Sequence, residues 1–258
     1  MKLHLPLLLR SALLAILASA TLTHATQIDI SDEDGRLEDK TYYDDLEIIV
    51  QEGGILTISS DATKLTGNHT TLDVYGSVRM AEGNIGYISS EDRGRTIATD
   101  INVAGGTYTM NNGYIGYMAG GSGNTVVTTV NVTDGTFTLN NGRIAQMGGG
   151  TNNTFDTTVN VAGGAFTLSR GHIGLVSSGS GAIDTNVNVN TTINLESGSF
   201  EQDFAGIGIT SYFGSAVLSI VTTIDMTGGT YTMNSGSYIG FVVLLGKDHI
   251  VDTGTSKK

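Results

Sequence analysis

The sequence predicts an all-β chain that folds as a right-handed parallel β-helix, a three-sided β-solenoid of about seven coils with a period of about 29 residues. One unit recurs along the chain, as TDINVAGGTYTMNNGYI (99–115), TTVNVTDGTFTLNNGRI (128–144) and TTVNVAGGAFTLSRGHI (157–173). Apolar and polar residues alternate within each unit, which is typical of strands with one buried face. Gly-Gly or Asp-Gly pairs separate the alternating runs and indicate corners.

The spacing of the units favours a β-helix over a β-propeller. The Asn or Asp in the middle of each V-N-V-like triplet recurs at Asp73, Asn102, Asn131, Asn160, Asn194 and Asp225. A propeller blade needs about 40 residues and four antiparallel strands, whereas each unit here has three short alternating runs. We expect the Asn side chains to face outward and to form hydrogen bonds along the axis of the stack.

Stacking of the units predicts columns of like side chains in the interior. The aromatic column comprises Tyr108, Phe137, Phe166, Phe200 and Tyr231, and the aliphatic column comprises Ile85, Ile115, Ile144, Ile173, Ile207 and Ile239. A third column contains Met80, Met110, Leu139, Leu168 and Met233. Gln202 interrupts that third column, so we expect either a slip of register there or replacement of the glutamine by Phe204 in the apolar position.

The ends of the chain differ in composition from the repeats. Residues 1–25 contain Lys2, Arg10 and a short apolar run, which predicts a secretory signal peptide. Residues 26–45 form an acidic N-terminal leader or cap. The spacing of its acids excludes a helix–loop–helix calcium site and leaves other modes of calcium binding open. The β-helix repeats occupy residues 46–245, and residues 246–258 form a polar C-terminal tail.

The net charge limits the classes of molecule that we expect the chain to bind. The sequence has 13 Lys and Arg against 25 Asp and Glu, and no cysteine. An acidic surface repels nucleic acid and anionic lipid, so we expect neither as a partner. We also expect no transmembrane segment in the mature chain and no cofactor.

Candidate binding features lie at one corner and on one face of the predicted rod. The corner loops are rich in Gly, Ser, Thr and Asn and lie at 89–98, 119–127, 148–156, 177–189 and 210–221. Loops on one edge of a solenoid commonly bind partners, here glycans or proteins of a host or cell surface. A candidate glycan-contact column comprises Tyr114, Arg143 and His172, which occupy equivalent positions in consecutive units. We predict no catalytic, cofactor-binding or metal-binding residues.

The VNVxGGxFTLNNGxI units, which span about 46 to 245, resemble the passenger β-helix of bacterial autotransporters and related surface adhesins. The resemblance implies a secreted or cell-surface, virulence-associated adhesin outside the outer membrane of a Gram-negative cell. Because the repeats contain no cluster of acidic residues, we expect no catalytic activity. The first alternative is a β-helix carbohydrate-active enzyme, a polysaccharide lyase or hydrolase. The others are a fibre that self-associates end to end through YIGFVVLL (238–245) and an ice-binding protein that uses its outward T-x-T pairs.

Overall fold

The computed structural model describes residues 25–31, 35–177, 186–213, 217–240, 242–245 and 250–257. The predicted signal peptide therefore lies outside the described residues, apart from its last residue. Within them the chain is all-β, as predicted, and no helix is long and apolar enough to cross a membrane. The strands are β1 (Thr26–Ile30), β2 (Gly35–Arg36), β3 (Thr41–Tyr42), β4 (Leu46–Val50), β5 (Ile55–Ile58), β6 (Lys64–Leu65), β7 (His69–Val74), β8 (Ser77–Met80), β9 (Asn84–Ile88), β10 (Thr96–Met110), β11 (Tyr114–Met118), β12 (Thr125–Asn140), β13 (Arg143–Met147), β14 (Thr154–Ser169), β15 (His172–Ser177), β16 (Val187–Asp203), β17 (Gly206–Phe213), β18 (Val217–Met226), β19 (Thr230–Met233), β20 (Tyr238–Ile239), β21 (Val242–Leu245) and β22 (Ile250–Lys257).

The described strands form two long sheets in which neighbouring strands are parallel. The first sheet runs in the order β1-β4-β7-β10-β12-β14-β16-β18-β22, and the second in the order β20-β17-β15-β13-β11-β9-β6-β3. In each sheet the neighbour of a strand comes from the preceding or following repeat, so the chain returns to the same place once per repeat. This confirms the prediction of long parallel sheets, which is the organisation of a parallel β-solenoid.

The strand register brings like residues of successive repeats together. Val130 lies between Ile101 and Val159, and Val132 lies between Val103 and Val161. The rings of the aromatic column stack with centroids 4.6–5.1 Å apart and planes within 10° of parallel. These observations confirm the aromatic column, and the strand pairing likewise confirms the aliphatic one.

The outward Asn residues form the predicted chain of side-chain hydrogen bonds, which we call the amide ladder. Nδ2 of Asn102 donates to Oδ1 of Asp73 at 2.7 Å, and Nδ2 of Asn131 donates to Oδ1 of Asn102 at 2.8 Å. Asn160 donates to Asn131, and Asn194 donates to Asn160, both at 2.7 Å. Every bond in the ladder therefore points toward the N-terminal end of the stack.

Gln202 keeps its place in the third interior column, so both alternatives that the sequence suggested are wrong. Gln202 pairs in register with Leu168 and is completely buried, whereas the side chain of Phe204 is 56% exposed. Nε2 of Gln202 donates to the carbonyl oxygens of Ala205 at 2.7 Å and Tyr238 at 3.1 Å. Its Oε1 accepts the hydroxyl of Tyr231 at 2.6 Å. These hydrogen bonds compensate for the burial of the amide.

The interior contains a second apolar cluster that sequence reasoning missed. It includes Ile97, Val126, Phe155 and Val189, and all four lie in segments that we predicted to be corner loops. Buried threonines lie in register between this cluster and the main core: Thr70, Thr99, Thr128, Thr157, Thr191 and Thr222. Glycines with positive φ face most of this column; a Cβ at Gly116, for example, would overlap the hydroxyl of Thr128. Parts of the predicted corner loops are therefore buried and belong to the core.

The described sheet extends into both terminal segments. Strand β1 pairs with β4, with Thr26 opposite Leu46. Strand β22 pairs with β18, with Ile250 opposite Val217. The segment 26–45 thus contributes strands to the first coil, and the segment 246–258 contributes a strand at the other end.

Candidate functional site

The column predicted from the sequence lies on the outer side of the second sheet. Tyr114 on β11 pairs in register with Arg143 on β13, which pairs with His172 on β15. Asn84 and Gly206 occupy the flanking positions of the same column, as expected from the repeats. The three side chains are half-buried, so each presents part of its surface to solvent.

Arg143 is held in place by neutral partners. Its Nη1 donates to the hydroxyl of Tyr114 at 3.1 Å and to Oε1 of Gln146 at 2.9 Å. The guanidinium carbon lies 5.5 Å from the centre of the Tyr114 ring, within the range of a cation–π contact. Nε2 of Gln146 donates in turn to the hydroxyl of Ser177 at 3.0 Å. The position of the guanidinium group is therefore fixed by the protein, without a carboxylate among these partners.

Two further tyrosines extend this surface, and together with Tyr114 we call them the tyrosine face: Tyr87, Tyr114 and Tyr117. The ring centroids of Tyr114 and Tyr117 are 4.5 Å apart, and those of Tyr87 and Tyr117 are 5.7 Å apart. Nζ of Lys64 lies 4.8 Å from the centre of the Tyr87 ring. Burial is the main cause that raises the pKa of Tyr117, so its hydroxyl stays protonated. The recurring Ile-Gly-Tyr triplets were the sequence signal that could have identified this face.

A shallow groove of about 240 Å³ adjoins the tyrosine face, and we call it the arginine groove. It is lined by Asn112, Gly113, Tyr114, Asn141, Arg143, Arg170 and His172. It thus contains the whole predicted column together with residues from the turns that precede it. None of the lining residues is acidic.

The turns that line the groove carry side chains on left-handed backbone. Asn141 has φ of 64° and Arg170 has φ of 54°. Asn adopts this conformation readily because its short side chain can form local hydrogen bonds, whereas Arg rarely does. Neither residue was among the candidate site residues predicted from the sequence.

His172 is held in its neutral form. Burial is the first cause that lowers its pKa, and the positive charge of Arg143 is the second. Its Nδ1 faces the backbone of Gly206 and has no hydrogen-bond partner among the described residues. At neutral pH the positive charge of the groove therefore comes from its two arginines.

The groove is chemically suited to binding. Guanidinium groups, amides and a tyrosine ring can hold hydroxyl groups, anions and apolar C–H surface. Across the part of the chain that the structure describes, no three His, Cys, Asp or Glu side chains lie close enough together to hold a metal ion. A second, more apolar groove of about 370 Å³ lies at the N-terminal end, between strand β1 and residues 40–46.

Comparison of the chain with protein-family models, with curated proteins and with solved structures found no match.

Proposed function

We propose that this chain is a secreted or cell-surface, adhesin-like β-helical protein that binds glycans without catalysing a reaction. Its proposed architecture is a right-handed, three-sided solenoid of about seven coils with a period of about 29 residues. The signal-like segment at residues 1–25 supports export, and the resemblance of the repeats to autotransporter passengers supports a location outside the outer membrane. The two parallel sheets supply a rigid rod that carries the binding surface.

The observation that carries the proposal is the contact of the tyrosine face with the arginine groove. A pyranose ring has an apolar C–H surface with partial positive charge, which complements the negative face of an aromatic ring. Its hydroxyl groups need nearby donors and acceptors in fixed positions. Tyr114 belongs to both surfaces, so one saccharide unit can stack on the tyrosines while a neighbouring unit reaches Arg143.

The corner loops support this proposal less well than the face does. Asn153, within the predicted loop 148–156, is completely buried, and its Oδ1 accepts the backbone N–H of Asn124 at 2.9 Å. The backbone N–H of Arg95 donates to Oδ1 of Asn124 in the same way. Because these turns are tied to one another through buried amides, shortening them would disturb the fold as well as any binding.

A glycan array tests the proposal with one variant and one matched control. We expect Tyr117→Ala to weaken binding of the glycans that the wild-type protein retains by about tenfold, the loss expected when a stacking surface is removed. Tyr75 is 47% exposed and belongs to neither the face nor the groove, so Tyr75→Ala should bind as the wild type does. Circular dichroism checks that both variants fold. A wild-type protein that retains no glycan, or a Tyr117→Ala variant that binds normally, would contradict the proposal.

A further inference from the structure

We propose that the arginine groove recognises the anionic group of an acidic saccharide, a carboxylate or a sulfate. This inference rests on the proposed glycan binding and specifies the class of glycan.

The first support is the local charge. The chain has a net charge of −12, yet the groove contains Arg143, Arg170 and His172 with no acidic lining residue. Neither arginine forms an ion pair with a carboxylate among the described residues. Asp203 of the next coil accepts a backbone hydrogen bond from the N–H of Arg170 through its carbonyl oxygen at 2.9 Å, and its carboxylate forms no ion pair with either arginine among the described residues. Within the described part of the chain, the two guanidinium groups of the groove thus have no carboxylate partner.

The second support is the orientation of Arg143. Only Nη1 is used by Tyr114 and Gln146, so the N–H groups of Nε and Nη2 have no acceptor within the described residues. A guanidinium group presents such N–H groups as a planar fork that matches a carboxylate or a sulfate. Because the tyrosine and the glutamine already fix the side chain, an anion does not have to order it on binding.

The third support is the backbone of Arg170. Asn141 occupies the equivalent turn position one coil earlier and also has left-handed φ. Asn would therefore suit the backbone at residue 170 better than Arg does. Strained residues of this kind are concentrated at functional sites. The side chain, which lines the groove, accounts for an arginine at this position.

The surroundings of the anion site favour a saccharide over an acidic peptide. Nδ2 of Asn141 donates to Oδ1 of Asn112 at 3.2 Å. This bond leaves Oδ1 of Asn141 as an acceptor and Nδ2 of Asn112 as a donor for other partners. One acceptor and one donor on adjacent coils suit the hydroxyl groups of a sugar, each of which can donate and accept a hydrogen bond. Tyr114 lines the same groove and also belongs to the tyrosine face, so a saccharide bound at the groove lies next to aromatic rings.

Isothermal titration of the purified protein with three trisaccharides tests the inference: galacturonate, neutral galactose and O-sulfated galactose. We expect at least one acidic trisaccharide to bind about tenfold more tightly than the neutral one, and the difference to shrink in high salt. The stronger of the two acidic ligands identifies the group that is recognised. Equal binding of all three would overturn the inference while leaving glycan binding intact, whereas binding of none would overturn both.

Arg170→Asn is the decisive variant because it separates charge from folding. It introduces the residue found at the equivalent turn, so we expect a melting temperature no lower than that of the wild type. Binding of the preferred acidic trisaccharide should weaken about tenfold, the loss expected for one charge-assisted hydrogen bond, with unchanged binding of the neutral one. Arg79→Gln is the control, since it removes an exposed arginine from the other sheet. An equal loss in both variants would show a general effect of charge and overturn the inference, as would equally tight binding of a glutamate tripeptide.

Discussion

The amide ladder predicts that one substitution has opposite effects at its two ends. Asp73 ends the ladder at the N-terminal side, where its carboxylate accepts Nδ2 of Asn102. At the other side Asp225 lies in register beside Asn194. A carboxylate has no N–H to donate to Oδ1 of Asn194, so the ladder stops there. Asp225→Asn supplies that donor, whereas Asp73→Asn replaces a charged acceptor with a neutral one.

The magnitudes follow from the hydrogen bonds that change. Asp225→Asn adds one amide–amide bond and should raise the free energy of unfolding by about 0.5–1.5 kcal/mol. Asp73→Asn keeps the bond from Asn102 but weakens it from a charge-assisted bond to a neutral one, which should lower the free energy of unfolding by about 1 kcal/mol. Both variants remove one negative charge from an acidic chain, so the general effect of net charge is similar in both. Their difference, about 2 kcal/mol, reports the ladder.

Urea unfolding of the two variants beside the wild type measures this difference. Because stacked repeats can unfold in more than one step, hydrogen exchange of the backbone amides in β16 and β18 should accompany it. Exchange there should slow in Asp225→Asn and stay unchanged in Asp73→Asn, whose effect belongs near β7 and β10. Changes of the same sign and size in both variants would refute the polarity of the ladder.

Three further predictions concern buried polar groups and backbone strain. Gln202→Leu should lower the free energy of unfolding by about 2 kcal/mol, because it removes the acceptor of the Tyr231 hydroxyl and the donor to two carbonyl oxygens. A double-mutant cycle with Tyr231→Phe, measured by urea unfolding, should show a coupling of about 1 kcal/mol. Additive losses in the two single variants would contradict this prediction. Because the pKa of His172 is lowered in the folded protein, the unfolded chain binds a proton at this residue at a higher pH than the folded chain does. The free energy of unfolding should therefore keep the full contribution of His172 above about pH 6.5 and decline as the pH falls below it. The melting temperature of His172→Gln should fall less than that of the wild type as the pH is lowered below about 6.5. Identical pH profiles of the two melting temperatures would refute the role of His172. Gly116→Ala should lower the free energy of unfolding by about 2 kcal/mol, because alanine is strained at left-handed φ and its Cβ would overlap a threonine hydroxyl. Ala145→Gly, at φ of 55° in the equivalent position, should change that free energy by less than about 1 kcal/mol. Equal shifts of the two melting temperatures in calorimetry would contradict this prediction.

The interior columns could be predicted from the sequence because alternation and repetition fix register together. A slip of one residue at Phe137 would turn Phe137 and Leu139 outward, so the correct register is the only one that buries every unit. The outward Asn residues follow from the same register. Gln202 could not be placed in this way, since its burial depends on carbonyl oxygens that belong to a turn three residues later and to Tyr238. Alternation shows which face a side chain occupies but not which partners satisfy it.

Part of the candidate site could be predicted because the repeats also show which residues stack on one another. Equivalent positions in consecutive repeats identified Tyr114, Arg143 and His172 as one column, and the strand register places them together. Arg170 and Tyr117 were missed. The sign of φ at residue 170 cannot be read from a Ser-Arg-Gly turn, and alternation does not show that the ring of Tyr117 packs against that of Tyr114.

The strained turns show how a regular rod can carry a surface that differs from coil to coil. Asn141, Arg170 and Phe204 all have left-handed φ at the same turn of consecutive coils. The backbone N–H of each donates to a carbonyl oxygen of the next coil, at 2.8, 2.9 and 3.3 Å. These bonds, with the parallel strands on either side, hold the same turn conformation in three coils that carry different side chains there. The side chain is then free to be an amide, a cation or an aromatic ring, and so neighbouring coils can present different chemistry to a ligand at almost the same backbone position.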